Sequence, residues 1–243
     1  MNQSYQQQGG ATHMRLDKFV SHASGASRVD SRRLIKSKRI AVNGVIIKSA
    51  AFSLSADDRV TLDAQPLAIS GPQYFMLHKP SGYVCATTDS DHPTVLDLIE
   101  ENSEKLSIAG RLDKDTTGLI LLSDDGQWIH NIISPRRACS KIYIATLDAE
   151  ITPDVVRQFE SGIILRNETK PTLPASLNKI DGRTVEVSIV EGKYHQVKRM
   201  FAACGLHVVS LHRAQVGAIK LDETLSPGEY RRLTETEIAG VCL

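Results

Sequence analysis

The chain has 243 residues, room for one large domain or two modest ones with a buried core. Hydrophobic residues at 41% and charged residues at 23% are ordinary globular usage and argue against wholesale disorder, a fibrous repeat or a disulfide scaffold. Lys plus Arg number 29 against 28 Asp plus Glu, a formal charge of +1, so the total gives no reason to expect a polyanionic partner; the distribution along the chain does.

Residues 1–13 (MNQSYQQQGGATH) lack the apolar core of a signal peptide and read as a disordered N-terminal extension. No stretch approaches the roughly 18 apolar residues of a spanning helix, so no membrane partner is expected and a cytoplasmic location is. Cys85, Cys139, Cys204 and Cys242 are scattered without a C-x-x-C pair, which predicts free thiols, a reducing compartment and no structural zinc.

Patterned sequence begins at Met14. Leu16, Phe19 and Val20 stand at helical spacing, and Ser27 followed by Asp30 opens a second helix in the manner of a capping box. From Arg15 to Lys48 nine basic residues face only Asp17 and Asp30, a basic segment on a mildly acidic remainder, as in a polyanion-binding module joined to a larger body. Arg28, Arg32 and Arg39 fall near one line of the second helix. Asn43-Gly44 between two β-branched runs signals a hairpin. These elements predict a small α/β unit over 14–63, and 64–72 (AQPLAISGP), with two prolines and a glycine, reads as a linker.

From residue 73 to the end, short strand-like runs dominate: YFMLHK, YVCATT, LSIAG, GLILLS, KIYIATLD, ASLNKI, RTVEVSIVE, HVVSLHR and GAIKLD. Helical candidates are fewer: TVLDLIEE, GQWIHNII, PDVVRQFES with Thr152 as N-cap, YHQVKRMFAAC, and TETEIAGV with a Thr234/Glu237 capping box. The strands do not alternate regularly with helices, which predicts an α+β domain with a mainly antiparallel mixed sheet over 73–243.

Four segments in this body carry chemistry-bearing side chains. In Gly110-Arg-Leu-Asp-Lys-Asp-Thr-Thr-Gly118, Asp113 sits on a loop between two predicted strands, where catalytic groups tend to be displayed, although an Asp before Thr-Thr-Gly is more often a turn residue. Asp115 reads as such a turn residue, and Asp124 and Asp125 as caps of the next helix. In Glu191-Gly-Lys-Tyr-His-Gln-Val-Lys-Arg-Met200 a strand breaks and a helix begins, presenting Lys193, His195, Gln196, Lys198 and Arg199 within two turns. A cation from that helix reaching Asp113 would favour the charged carboxylate. Lys79 leads into a Pro-Ser-Gly turn, and Lys141-Ile-Tyr143 lies in a strand; neither identifies a function alone.

Taken in order, Lys79-Pro-x-Gly82, Gly110-Arg-Leu-Asp-x-x-Thr-x-Gly118, Lys141-x-Tyr143 and Glu191-Gly-Lys-x-His-Gln-Val-Lys-Arg-Met200 resemble the consecutive motifs of RNA pseudouridine synthases. The preceding R-L-D-K-F, S-R and R-I-x-V-N-G stretch looks like a small S4-type RNA-binding domain, and the two together resemble the ribosomal branch of that family. The resemblance implies an isomerase that needs no cofactor and no metal. It implies Asp113 as catalytic carboxylate, Lys198 as its paired cation with Arg199 the neighbouring candidate, Tyr143 stacked on the target base, and Arg111 displacing the base or holding flanking RNA. Arg28, Arg32, Arg33, Lys36, Lys38, Arg39 and Asn43 of the S4-like unit, with Lys79, His195, Gln196 and Arg199 of the body, are expected to contact RNA. The similarity is greatest to members acting on 16S rRNA, at uridine 516, so 16S rRNA or a small-subunit assembly intermediate is the expected partner of a monomeric enzyme. A 23S rRNA or tRNA target within the same family is the alternative. Two readings from other classes are a non-catalytic ribosome-associated RNA binder and a metal-dependent nuclease using Asp113, Asp115, Asp124 and Asp125.

Overall fold

The computed structural model describes residues 14–55, 57–68, 71–100 and 103–241, and the chain divides into two units, residues 1–71 and 72–243. The extension expected over residues 1–13 lies outside the described residues, as does Cys242.

The first unit runs β1 (Met14–Arg15), α1 (Leu16–Ser24), α2 (Arg28–Lys36), β2 (Ile40–Val42), β3 (Val45–Ile46), β4 (Ser53–Leu54), β5 (Val60–Leu62) and β6 (Gln65–Leu67). Gly25, in the left-handed region at φ 74°, ends α1. Ser27 caps α2 by accepting the Asp30 amide at 3.1 Å. Asn43 and Gly44, at φ 50° and 79°, turn β2 into β3 as the Asn-Gly pair predicts. The strands form an antiparallel sheet in the order β3-β2-β5-β6, and Leu16, Val20, Ile35, Ile40 and Val60 are buried together between helices and sheet.

Two expectations for this unit are corrected. The linker begins later than residue 64, because Gln65–Leu67 forms β6; Pro66 is tolerated there since β6 is the sheet's edge strand and needs no amide on its outer side. Arg39 lies beyond the end of α2 and so is not in line with Arg28 and Arg32.

The second unit contains β7 (Tyr74–Lys79), β8 (Ser107–Ile108), β9 (Thr117–Ser123), α3 (Gly126–Ile133), β10 (Lys141–Leu147), α4 (Pro153–Ser161), β11 (Ser176–Lys179), β12 (Thr184–Ile189), α5 (Gln196–Ala203), β13 (Val208–Val216), β14 (Ile219–Lys220), β15 (Tyr230–Arg232) and α6 (Glu235–Gly240). The sheet runs β11-β12-β10-β13-β9-β7-β15, with β14 on β13 and β8 on β9. Between the named strands of this sheet every pairing is antiparallel except β13 with β9, which spans only His212–Thr117 and Arg213–Gly118. The fold is therefore α+β with a mainly antiparallel mixed sheet, as the strand count predicts.

Burial explains the sequence texture of the strands. In β7 and β9 alternate residues enter two different cores: Phe75, Leu77, Ile120 and Leu122 on one face, Met76, Leu119 and Leu121 on the other. A strand covered on both sides reads as a continuous apolar run. In β10 and β12 only Tyr143, Ala145, Leu147, Val185, Val187 and Ile189 are buried, and the alternation is visible in the sequence. Phe159 of α4 packs its ring 4.8 Å from that of Phe201 of α5; truncating a fully buried Phe to Ala costs about 3–5 kcal/mol.

Several local expectations differ from what forms. TVLDLIEE yields only a 3-10 turn over Val95–Leu98, YVCATT a single bridge from Val84 to Thr94, and Thr152 makes no side-chain cap on α4. Cys85 and Cys204 are free thiols, whereas Cys139 is disulfide-bonded, against the expectation of unpaired cysteines. The Thr234/Glu237 capping box forms on α6 as expected.

Candidate active site

The centre of the second unit is built around the loop between β8 and β9. Gly110, at φ 81°, starts the loop; Leu112 anchors it by burial and by its amide's contact with Cys85 Sγ at 3.3 Å. The amide of Thr116 closes a turn on the Asp113 carbonyl at 3.1 Å. Asp113 is thereby held between fixed points, with its carboxylate partly exposed.

Both oxygens of that carboxylate are engaged by the start of α5. Lys198 Nζ stands 3.0 Å from Asp113 Oδ2, and His195 Nε2 stands 3.2 Å from Oδ1. His195 takes a left-handed conformation, φ 47°, at the N-cap position. Lys198 also donates to Asp115 Oδ1 at 2.6 Å. Burial works against the charge on Lys198, but hydrogen bonds to Asp115 and Asp113 outweigh it and its pKa rises. The Lys198 hydrogen bond holds Asp115 below the usual carboxylate range. Asp115 is thus a partner of the cation as well as a turn residue.

A cavity of about 740 Å³ opens beside this cluster, lined by Asp113, Arg111, Tyr143, Lys141, Arg213 and Lys198 among others. Arg111 is exposed at its wall, and the Tyr143 ring is buried in it. Counting all its lining side chains, six are basic and three acidic, so the cavity favours an electron-rich guest.

Lys79 does something other than what was expected of it. It is fully buried, and its ammonium donates to the carbonyls of Thr116 (2.7 Å), Pro80 (3.0 Å) and Lys114 (3.2 Å). Burial lowers its pKa. It cannot reach RNA; it pins the β8–β9 loop from beneath. Gln196 is corrected likewise: it is buried, donates to Glu191 Oε1 at 2.8 Å and accepts the Lys193 amide at 2.8 Å, so it braces the turn into α5. Arg199 is not the partner of Asp113. It pairs with Glu168 at 2.8 Å, beside Lys193 on the same carboxylate, and donates to the Tyr194 and Arg166 carbonyls.

The basic face of the first unit is more organised than a run of free cations. Asp17, fully buried, accepts from Arg15, Arg28 and Arg32, each at 3.2 Å. The Arg15 hydrogen bond, helped by Arg32 and against the opposing effect of burial, holds its pKa at about 2. Arg33 pairs with Asp30 and Arg39 with Asp63, while Lys36 and Lys38 are exposed. Asn43 is exposed and also holds the hairpin turn, donating to Asp58 Oδ1 and accepting the Arg59 amide.

Asp113, Asp115, Asp124 and Asp125 do not converge. Asp124 accepts the Gln73 amide, Asp125 caps α3 and accepts from Tyr74 Oη, and no group of three or more potential ligands capable of holding a metal occurs among the described residues. The sequence reading also missed Arg213, a buried cation on β13 that lines the cavity. Its burial follows from pairing between β13 and β9, about which the local pattern says nothing.

A carboxylate held by an ammonium and an imidazole beside a basic cavity that contains a tyrosine, in a chain whose first unit is also basic, suits an enzyme with an anionic substrate. Residues 73–203 match the family model described as RNA pseudouridylate synthase and residues 14–60 match the S4 domain, and the chain belongs to the RNA pseudouridine synthase family, an isomerase with an S4 RNA-binding domain. It is 55% identical over 230 residues, 94% of this chain and all of the relative, to the ribosomal small subunit pseudouridine synthase A of Salmonella typhimurium. It is 54% identical over the same span to the protein of that name from Escherichia coli K12. A crystal structure of a pseudouridylate synthase matches with a TM-score of 0.69 and 44% identity, covering 94% of this chain and 99% of that one.

Proposed function

We propose that the protein converts a single uridine of 16S rRNA, by resemblance uridine 516, to pseudouridine in the assembling small subunit, acting as a cytoplasmic monomer with Asp113 as the catalytic carboxylate. The observation that carries this reading is the fixed placement of Asp113 between Lys198 and His195 on the wall of the cavity that contains Tyr143. The names and near-full-length identity of the small-subunit relatives support the choice of RNA.

The reaction breaks the bond from uracil N1 to ribose C1′, turns the base and rejoins it through C5. It consumes nothing, so the protein's task is to bring one group against the sugar and base and to stabilise charge. Asp113 attacks the sugar or the base, or stabilises charge in an elimination; all three routes need the carboxylate in the same place. Lys198 and His195 hold both of its oxygens. Tyr143 offers a face for the uracil, and Arg111, exposed at the cavity wall, fills the role of displacing the base or gripping its neighbours. A base in folded RNA must be flipped out at a cost of a few kcal/mol. Phosphate contacts by Arg28, Arg32, Arg33, Lys36, Lys38 and Arg39 offset that cost and position the RNA, while contributing little sequence information.

The test is to incubate the purified protein with unmodified 16S rRNA, with a small-subunit assembly intermediate, and with 23S rRNA and tRNA, and to map pseudouridines by carbodiimide-stop primer extension. One new stop in 16S rRNA is expected. A stop confined to 23S rRNA or tRNA overturns the choice of target and keeps the chemistry; no stop in any RNA overturns both.

A further inference from the structure

The floor of the cavity holds two cations that Asp113 and its partners leave unused. Arg213 is 2% exposed; its Nε donates to the Leu119 carbonyl at 2.8 Å, but Nη2 has no hydrogen-bond partner among the described residues. Lys141 spends one donor on the Cys139 carbonyl at 2.7 Å. Neither enters an ion pair among the described residues, and both line the cavity. Burying an unpaired guanidinium donor is costly, and in native proteins such a group usually has a function or a ligand.

Strand register says what that ligand is. Tyr143 on β10 lies directly opposite Arg213 on β13, so their side chains emerge on the same face about 5 Å apart. Lys141 is two residues before Tyr143 on the same strand and shares that face. A planar base against the Tyr143 ring therefore presents its edge to Arg213 and Lys141. Arg111 and Lys114, also on the cavity lining, are exposed and stand nearer the surface, where a phosphate would be met before the buried pair.

We propose that Arg213 and Lys141 form an oxyanion site for the uracil ring, receiving the negative charge that stays on the base when its bond to ribose breaks. The inference rests on the reading of this cavity as the isomerase site. The C1′–N1 bond breaks with its electron pair left on the ring, where the charge spreads to the ring oxygens. The C1′–C5 bond then forms from that anion, C5 gives up its proton and N1 gains one. Preorganised cations facing charge that develops only during the reaction raise its rate without tightening substrate binding.

The binding test uses full-length protein and does not depend on which RNA is the substrate. The protein is titrated calorimetrically with 5-nitrouracil, which is anionic at neutral pH, with uracil, which is neutral, and with inorganic phosphate. The wild type is expected to bind the anionic ring at least about tenfold more tightly than uracil, Arg213→Met and Lys141→Met to lose that preference, and Arg213→Lys to keep part of it. A thermal melt of each variant identifies any loss caused by unfolding, in which case the Arg213→Lys and Lys141→Met results decide. Equal binding of the anion by wild type and folded variants overturns the proposal, as does a preference for phosphate that the same substitutions abolish. On the RNA identified by mapping, the folded variants should keep RNA affinity and lose about 100-fold in single-turnover rate; a mapping that finds no RNA counts against the proposed function and leaves the anion site to the calorimetry.

Discussion

A β-carbon on Gly118 would stand 2.3 Å from the carbonyl oxygen of Arg213 and 2.6 Å from its amide nitrogen. The two backbones meet where β9 and β13 pair in parallel, and this close approach sets the cavity floor against the end of the Asp113 loop. Gly118 also has φ 108°, a conformation that other residues reach only with strain. Gly118→Ala is therefore expected to destabilise the protein by about 3 kcal/mol or more, from strain and backbone collision together. Urea unfolding of the full chain measures this; a loss below about 0.5 kcal/mol would mean that the strands separate freely.

Lys198 bridges two carboxylates, and the two links differ in consequence. Lys198→Met is expected to lower kcat about 100-fold with a smaller change in KM, since it removes the cation that orients Asp113. Lys198→Arg should recover part of the loss. Asp115→Asn leaves the Asp113 link in place and should stay within about threefold of wild type. Because both carboxylates raise the pKa of Lys198, the pH–rate profile should show no fall attributable to its deprotonation below about pH 10; a Lys198-dependent fall near neutrality would contradict this arrangement.

Lys79 distinguishes a positioning role from RNA contact. Lys79→Met removes three hydrogen bonds to the Asp113 loop and its approaches, so it should lower kcat and cost about 1–3 kcal/mol of stability. RNA affinity and its dependence on salt should be unchanged, because the ammonium touches no phosphate. A reduced salt slope in filter binding would return Lys79 to the RNA-contact set.

Asp17 gives the first unit a stability that depends on pH in a definite direction. Its pKa falls from an ordinary 3.8 to about 2 in the folded protein. The folded state thus favours the charged form, and the stabilisation is fully present above about pH 4 and is lost as pH falls through about 2. Asp17→Asn should lower the melting temperature of the first unit at pH 6, and the gap from wild type should close between pH 4 and pH 2. Circular dichroism melts across that range check it; a gap that widens on acidification would be the wrong sign.

Much of this was legible along the chain because it is local. The Asn43-Gly44 turn, the Thr234/Glu237 box, the run of β7 and the boundaries of α3 all depend on neighbours within a few residues. The ordered motifs brought Asp113 and Lys198 together across 85 residues of sequence, and they stand 3.0 Å apart. Long-range burial was not legible. Nothing near Lys79 or Arg213 distinguishes a buried polar side chain from a solvated one, since both are held by backbone far away in sequence; Gln196 is braced by the nearby Glu191 and Lys193, but its burial is not legible in the pattern. The pairing of Arg28 and Arg32 with Asp17 was hidden because an acid among many cations reads as an interruption rather than as their common anchor.

The proposed isomerisation turns on Asp113, and the fate of the C5 proton reports on it. RNA carrying tritium at C5 of the target uridine releases label only when the base is rejoined through that carbon. Under single-turnover conditions the wild type should release the full label, while Asp113→Asn, still folded and still binding RNA, should be slower by at least about a thousandfold. Release by Asp113→Asn within about tenfold of wild type would show that the reaction does not depend on this carboxylate.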